Sequence, residues 1–253
     1  MPFGSARMGG EKLLILISRP WIVEVAEEFR PFHHCGECAM IVTRKKDPGT
    51  VKQFASGAEK IIIVGCSECA AVCRTGGSEQ VREMADLFSD RKVLATISIE
   101  SPCDKRVSAR DFKRIEEELA GADAIIALTC GSGAQAIAEI TGRRVVAALD
   151  TDFVGMVERL GRFFERCSHC GECILNETAL LCPVTLCPKG VRNGPCEGIQ
   201  GARCEVYEDR DCVWHAIYNR LEERGELDKF TAYHGPVDWK ECHSPKEAVW
   251  ERS

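Results

Sequence analysis

Short apolar runs alternate with amphipathic stretches between residues 60 and 150. The runs are short and rich in β-branched residues, which is typical of buried strands. They cover residues 60–65, Lys92–Ile99, Ala124–Leu128 and 145–149. Between them, apolar residues recur at helical spacing and predict two inward faces. These faces are formed by Val81, Met84, Ala85 and Phe88, and by Phe112, Ile115 and Leu119. Strands alternating with helices predict a parallel sheet.

Polar residues before several of these segments predict where helices begin. Ser78 and Ser108 are each expected to cap the helix that follows. Asp47-Pro48 predicts a further helix start, with Val51 and Phe54 on its inner face. Nearer the N-terminus, residues 13–17 are expected to form an extra strand and residues 20–29 a helix.

The pattern changes after residue 152. Residues 153–166 are expected to be helical and to link two domains. The segment 167–212 is rich in Cys, Gly and Pro and has little apolar periodicity, so bound metal is expected to organise it in place of a hydrophobic core. Asp211 is expected to cap a last helix. The apolar stripe of that helix is Trp214, Ile217, Tyr218 and Leu221.

Together these patterns predict an α/β fold class, with a parallel, Rossmann-like sheet domain followed by a small cysteine-rich iron–sulfur domain. The expected divisions are an N-terminal extension (1–39), the α/β domain (40–152), the cysteine-rich module (153–228) and a polar C-terminal tail with Trp239 and Trp250 (229–253).

Composition excludes several classes of protein. The chain has 253 residues, 45% apolar and 28% charged, which is ordinary for a globular protein. Its net charge of −6 and its lack of a basic block argue against nucleic-acid binding. The N-terminal apolar run is too short for a signal peptide, and no run is long enough for a membrane span. Together with many cysteines, this predicts a reducing, cytoplasmic location.

Eight of the 16 cysteines fall in the segment 167–212. They are Cys167, Cys170, Cys173, Cys182, Cys187, Cys196, Cys204 and Cys212. A C-x2-C-x2-C opening followed by Cys-Pro steps is typical of ferredoxins, and eight thiolates are enough for two [4Fe-4S] clusters. The sequence does not determine how the eight cysteines divide between the two clusters, because the last cysteine of such a motif often binds the other cluster. Disulfides are disfavoured, and structural zinc is a weaker alternative because no second C-x2-C pair follows.

Five more cysteines follow the predicted strands of the first domain. They are Cys66, Cys69, Cys73, Cys103 and Cys130. The carboxyl ends of parallel strands meet at one edge of a sheet, so these thiols are expected to gather there around a further metal centre. An iron–sulfur cluster is favoured over zinc, and Cys73 or Cys103 are alternatively small buried side chains.

Cys35 and Cys38 stand apart from both groups. With Cys66 and Cys69 they would form a zinc-like pair of C-x2-C motifs, which competes for the same thiols. No nucleophile-elbow or phosphate-binding loop motif occurs, and no cysteine–histidine pair indicates a protease. The predicted chemistry is therefore metal binding.

Several of these motifs resemble the small, cysteine-rich MetV-type subunit of methylenetetrahydrofolate reductase, which also occurs as a C-terminal domain of fused reductases. The resemblance covers residues 40–238 and leaves out Cys35 and Cys38. The matching stretches are Gly65-Cys-Ser-Glu-Cys69, Cys73-Arg-Thr-Gly-Gly77, Cys167-x2-Cys170-Gly-Glu-Cys173, Cys182-Pro-Val-Thr-x-Cys187-Pro-Lys189, Asn193-Gly-Pro-Cys196, Gly201-x2-Cys204-Glu-Val206 and Asp211-Cys-x-Trp-x-x-Ile-Tyr218.

The resemblance implies a non-catalytic, electron-transfer subunit in one-carbon metabolism. It would pass electrons through iron–sulfur clusters to the flavin of a partner catalytic subunit that forms methyltetrahydrofolate. A ferredoxin or a larger electron-transfer complex is the expected upstream donor. Two alternatives remain open, namely a subunit that serves another flavoenzyme complex and a zinc-stapled scaffold protein.

Overall fold

The computed structural model describes residues 40–236. Within this range the strands are β1 (Ile41–Lys45), β2 (Lys60–Cys66), β3 (Lys92–Ile99), β4 (Ala124–Leu128), β5 (Val145–Ala147), β6 (Leu149–Arg159) and β7 (Arg162–Cys167). The α-helices are α1 (Pro48–Phe54), α2 (Cys69–Val72), α3 (Ser78–Leu87), α4 (Lys105–Phe112), α5 (Glu116–Gly121), α6 (Gly131–Thr141), α7 (Pro183–Leu186) and α8 (Val213–Arg224). Two 3-10 turns cover Lys113–Ile115 and Leu227–Thr231.

Four strands form the parallel sheet that the sequence predicts, in the order β3-β2-β4-β5. Alternate residues of β2 point to opposite faces. Ile61 and Ile63 enter one hydrophobic cluster, and Ile62 and Val64 enter the other. Both faces of the sheet are therefore covered, which explains why its central strands are continuous apolar runs. The α/β prediction is confirmed for this part of the chain.

A second, antiparallel sheet has the order β1-β6-β7. It shows that the helix predicted over residues 153–166 is wrong, because this segment is a hairpin. The hairpin turns at Leu160-Gly161, and Gly161 has a φ of 82°, which favours glycine. Pairing with β1, more than 100 residues earlier in the chain, stabilises β6 as a strand. β6 also crosses the predicted boundary after residue 152, and the division into domains stays a prediction.

Helix starts follow the sequence only in part. Asp47 caps α1 as predicted, accepting a hydrogen bond from the Thr50 amide at 2.8 Å. Phe54, however, is 62% exposed, so its predicted inward position is wrong; the inner face of this segment carries Val51 and Ala55, which are fully buried in the core. α3 begins at Ser78, with Gly77 in the capping position.

Ser108 does not cap a helix. Asp104 caps α4 instead, and the Ser108 hydroxyl, inside the helix, donates to the Pro102 carbonyl at 2.9 Å. A carboxylate one turn earlier therefore supplies the capping acceptor that the sequence assigned to Ser108. The inward positions of Phe112, Ile115 and Leu119 are confirmed, although a 3-10 turn interrupts their helix.

The last described helix, α8, has a small core of its own. This core comprises Ala179, Cys212, Val213, Trp214, Ile217 and Leu221. It corrects the expectation that metal alone would organise this region. Cys212, not Asp211, occupies the capping position of α8, since Asp211 pairs with Arg203 at 3.1 Å. Tyr218 is partly exposed and contacts the edge of the Phe230 ring at a centroid distance of 5.5 Å.

In residues 40–236, the helices are all too short or too polar to cross a membrane. The predicted elements at 13–17 and 20–29, the pair Cys35 and Cys38, and Trp239 and Trp250 of the tail lie outside the described residues.

Candidate metal centres

The parallel sheet delivers cysteines to its carboxyl edge, as the sequence predicts. Cys66 is the last residue of β2, Cys103 lies in the turn after β3, and Cys130 immediately precedes α6 after β4. The one-turn helix α2 adds Cys69 at its start and Cys73 just beyond its end. All five therefore belong to the loops that leave one edge of the sheet.

The thiols at this edge lie within electrostatic range of one another. Burial raises the pKa of Cys66 to about 11, and repulsion from Cys69 and Cys130 adds to the rise. Burial likewise raises the pKa of Cys69, which also feels Cys130, Cys103 and Cys73. Cys69 is thus the central member of the group. Within residues 40–236, however, no three His, Cys, Asp or Glu side chains converge as ligands of a single metal ion.

The antiparallel sheet contacts this group from one side, which the sequence did not predict. The Cys73 thiol donates to the Ile41 carbonyl of β1 at 3.7 Å. Buried Thr43 and Thr75 share a hydrogen bond of 2.6 Å. The β-branched run Ile41-Val42-Thr43 was the available signal for β1, but its partner strand is remote in sequence.

Two glycines allow the loop after β2 to fold back across the sheet edge. The Cys66 amide donates to the Gly76 carbonyl at 2.9 Å. A Cβ on Gly76 would lie 2.0 Å from the Leu128 carbonyl oxygen, and one on Gly65 would lie 2.5 Å from the Gly76 carbonyl oxygen. Side chains at either position would push α2, and with it Cys69, away from the sheet.

A second group of thiols lines an open cleft in the C-terminal part. The lining of the cleft includes Cys187, Cys196, Cys204 and Cys212. A small hairpin positions two of them, because the Cys204 amide donates to the Arg210 carbonyl at 3.0 Å and the Cys212 amide donates to the Ala202 carbonyl at 2.7 Å. Four thiols around one space are the donor set that a four-iron cluster requires.

Charged side chains surround this cleft. Glu205 accepts hydrogen bonds from the Lys189 ammonium and, at 3.5 Å, from the Cys196 thiol. The hydrogen bond from Lys189 lowers the pKa of the Glu205 carboxyl. The Arg210 guanidinium lies over the Tyr207 ring, 4.5 Å from its centre. The cleft wall thus carries both cations and carboxylates beside the thiols, and four of them form two ion pairs, Lys189 with Glu205 and Arg203 with Asp211.

The other four cysteines of the segment lie elsewhere. Cys167 ends β7, and the loop from Cys167 to Cys173 turns through His169 and Gly171, both with positive φ. Cys182 occupies the capping position of α7, and α7 contacts β7. None of Cys167, Cys170, Cys173 and Cys182 is among the residues that line the cleft.

Comparison with known families gives one match. Residues 146–240 match the family model described as methylene-tetrahydrofolate reductase C terminal. The resemblance inferred from the motifs is thereby confirmed for this segment, and the chain is linked to methylenetetrahydrofolate reductase. The match to the reductase C-terminal family includes all eight cysteines of the segment 167–212 and begins after the last sheet-edge cysteine, Cys130. Neither the curated proteins nor the solved structures contain a match to the chain.

Proposed function

We propose that the chain is an electron-transfer subunit of a methylenetetrahydrofolate reductase complex. It would pass electrons to the flavin of a partner catalytic subunit that forms methyltetrahydrofolate. The observation that carries this proposal is the match to the reductase C-terminal family over a segment in which four thiols line one cleft. The sequence of this segment opens like a ferredoxin, which supports a redox role over a purely structural one.

The eight cysteines of the segment 167–212 would hold two four-iron clusters. Each cluster, when bound, supplies one-electron uptake and release. Two electrons and two protons would reduce the partner's flavin. The reduced flavin would pass a hydride to the folate and release its remaining proton, which completes the methyl product. The low-potential electrons would come from a ferredoxin or a larger electron-transfer complex. This chain's own residues would hold and orient the clusters, and the folate chemistry would belong to the flavin.

The sheet-edge thiols would hold a further centre. A four-iron cluster needs four thiolates, and this edge offers five: Cys66, Cys69, Cys73, Cys103 and Cys130. Their position around Cys69 supports a shared metal centre. An iron–sulfur cluster is proposed, with zinc as the competing metal. One of the five would not be a ligand of a four-iron cluster. Cys103 and Cys73 are the candidates for that position, because Cys103 is exposed and the Cys73 thiol donates to the Ile41 carbonyl.

A redox assay tests the proposed function. The purified chain is mixed anaerobically with methyltetrahydrofolate and an oxidised viologen, with and without the flavin-bearing reductase subunit. We expect viologen reduction only when the partner is present, because the hydride would be exchanged with the partner's flavin. Turnover by the chain alone would overturn the proposal.

Two variants of the chain sharpen this assay. Cys196→Ala removes a thiol from the cleft, and Tyr207→Phe changes the same cleft without removing a thiol. We expect Cys196→Ala to lower turnover at least tenfold and Tyr207→Phe to leave it near the wild-type rate. Full turnover with Cys196→Ala, or purified chain that holds zinc and no acid-labile sulfide, would contradict cluster-mediated transfer.

A further inference from the structure

The last four cysteines of the reductase C-terminal segment line one cleft, and the first four lie outside its lining. The separating element is α7, a single turn of four residues. Cys182 is the residue before α7 and Cys187 is the residue after it. α7 contacts both β7 and α8, and Leu186 and Cys187 at its second end line the cleft.

Hydrogen bonds fix the loops that carry the four cysteines of the cleft. The Gly190 amide donates to the Cys187 carbonyl at 2.9 Å, which turns the chain immediately after Cys187. The indole of Trp214 donates to the Val191 carbonyl at 2.8 Å and so ties this loop to the start of α8, next to Cys212. Glu205 links Lys189 to Cys196 from the opposite wall.

We propose that Cys187, Cys196, Cys204 and Cys212 hold one four-iron cluster in this cleft and that Cys167, Cys170, Cys173 and Cys182 hold the other. This division rests on the proposed function, since it assumes iron–sulfur clusters in the segment. It differs from the exchange seen in two-cluster ferredoxins, where the Cys-Pro cysteine that follows the C-x2-C-x2-C run ligates the other cluster. Here the final cysteine, Cys212, lies in the cleft with its neighbours in sequence.

Two double variants distinguish the two divisions. Cys187→Ala with Cys212→Ala removes two thiols from the same proposed cluster, and Cys182→Ala with Cys187→Ala removes one thiol from each. Iron and acid-labile sulfide are measured per chain after anaerobic purification. We expect the first pair to lose no more iron than Cys187→Ala alone, and the second pair to lose twice as much. A ferredoxin-like exchange, with Cys212 beside Cys167, Cys170 and Cys173, gives the opposite result.

Further variants distinguish a failure of the proposed division of ligands from a failure of the proposed function. Cys182→Ala with Cys196→Ala is a second pair that leaves Cys212 in place, and it serves if removal of Cys212 unfolds α8. This pair should lose twice the iron of either single variant under the proposed division and no more than a single variant under the exchange. Both side chains are less buried than Cys212. Tyr233→Phe, at an exposed residue outside the cleft lining, should keep all the iron. If the wild-type chain holds no iron and sulfide, the proposed function fails. If the wild type holds both, but a pair from the cleft loses twice the iron of a single variant, only the division fails.

Discussion

At the scale of single residues, Asp123 joins two strands of the parallel sheet through its carboxylate. This carboxylate accepts hydrogen bonds from the Glu59 amide at 3.0 Å and the Lys60 amide at 2.7 Å, at the start of β2. The hydrogen bond from Lys60 is the main reason that the pKa of Asp123 lies below its usual range. An ionised carboxylate is a stronger acceptor than a protonated one, so the contribution of Asp123 to folding depends on pH.

Replacing Asp123 by Asn should destabilise the fold at neutral pH and have less effect in acid. Because the pKa is lower in the folded state, the stabilisation is fully present above the unfolded pKa, about 3.9, and is lost as the pH falls through the folded value. Urea unfolding of both proteins at pH 7 and pH 3 checks this. Asp86→Asn, on the exposed side of α3, is the control and should change little at either pH. An effect of Asp123→Asn as large at pH 3 as at pH 7 would contradict the prediction.

At the scale of elements, the loop between β2 and α3 depends on a close backbone contact. Gly76 lies against the Leu128 carbonyl of β4, and Ala70 of α2 occupies the other side. The loop carries Cys66, Cys69 and Cys73, so its path determines where three of the sheet-edge thiols lie.

Replacing Gly76 by Ala should destabilise the protein by about 3 kcal/mol, because a Cβ at 2.0 Å from the Leu128 carbonyl oxygen forces the loop to move. Urea unfolding measures the loss. Gly121→Ala is the matched control, since its Cβ would meet only Leu94 at 3.6 Å, an ordinary contact. Equal midpoints for the two variants would show that the loop moves aside without cost.

The elements that the sequence predicts well are those with local causes. β3 and β4 have the predicted bounds, because short runs rich in β-branched residues favour a strand; β4 is buried along its whole length, whereas β3 is a half-exposed edge strand. The hairpin β6–β7 was missed because β6 pairs with β1, which lies more than 100 residues earlier, and local periodicity carries no information about such a distant partner. The start of α4 was misplaced because Asp104 and Ser108 are both good capping residues and only packing of the helix selects one.

At the scale of the whole molecule, the two groups of thiols belong to different parts of the chain. The topology rule for parallel sheets places the first group at one edge, so its gathering was predictable from sequence. The cleft was not, because it is formed by loops and a short hairpin whose paths leave no periodic signal. The reductase C-terminal match covers the eight cysteines of the segment 167–212 and none of the sheet-edge thiols.

Removing a sheet-edge thiol should therefore lower metal content without affecting the other group. We expect Cys66→Ser and Cys130→Ser each to lose the same amount of metal, and this loss to add to that of Cys196→Ala in a double variant. Metal analysis of the purified variants measures both effects. Ser67→Ala, in the same loop and exposed, is the control and should keep the wild-type content. If Cys66→Ser and Cys130→Ser both retain all the metal, these are ordinary core cysteines.

The single turn α7 has a consequence for the energy of electron uptake. Its four residues rise about 6 Å, so the ligand sites at its two ends are held close together. Two charged centres at such a separation, in a partly buried region, repel each other's added electron. The first reduction would then make the second harder, and the two centres would have separate midpoint potentials even with identical ligands. Such a pair would deliver its electrons one after the other.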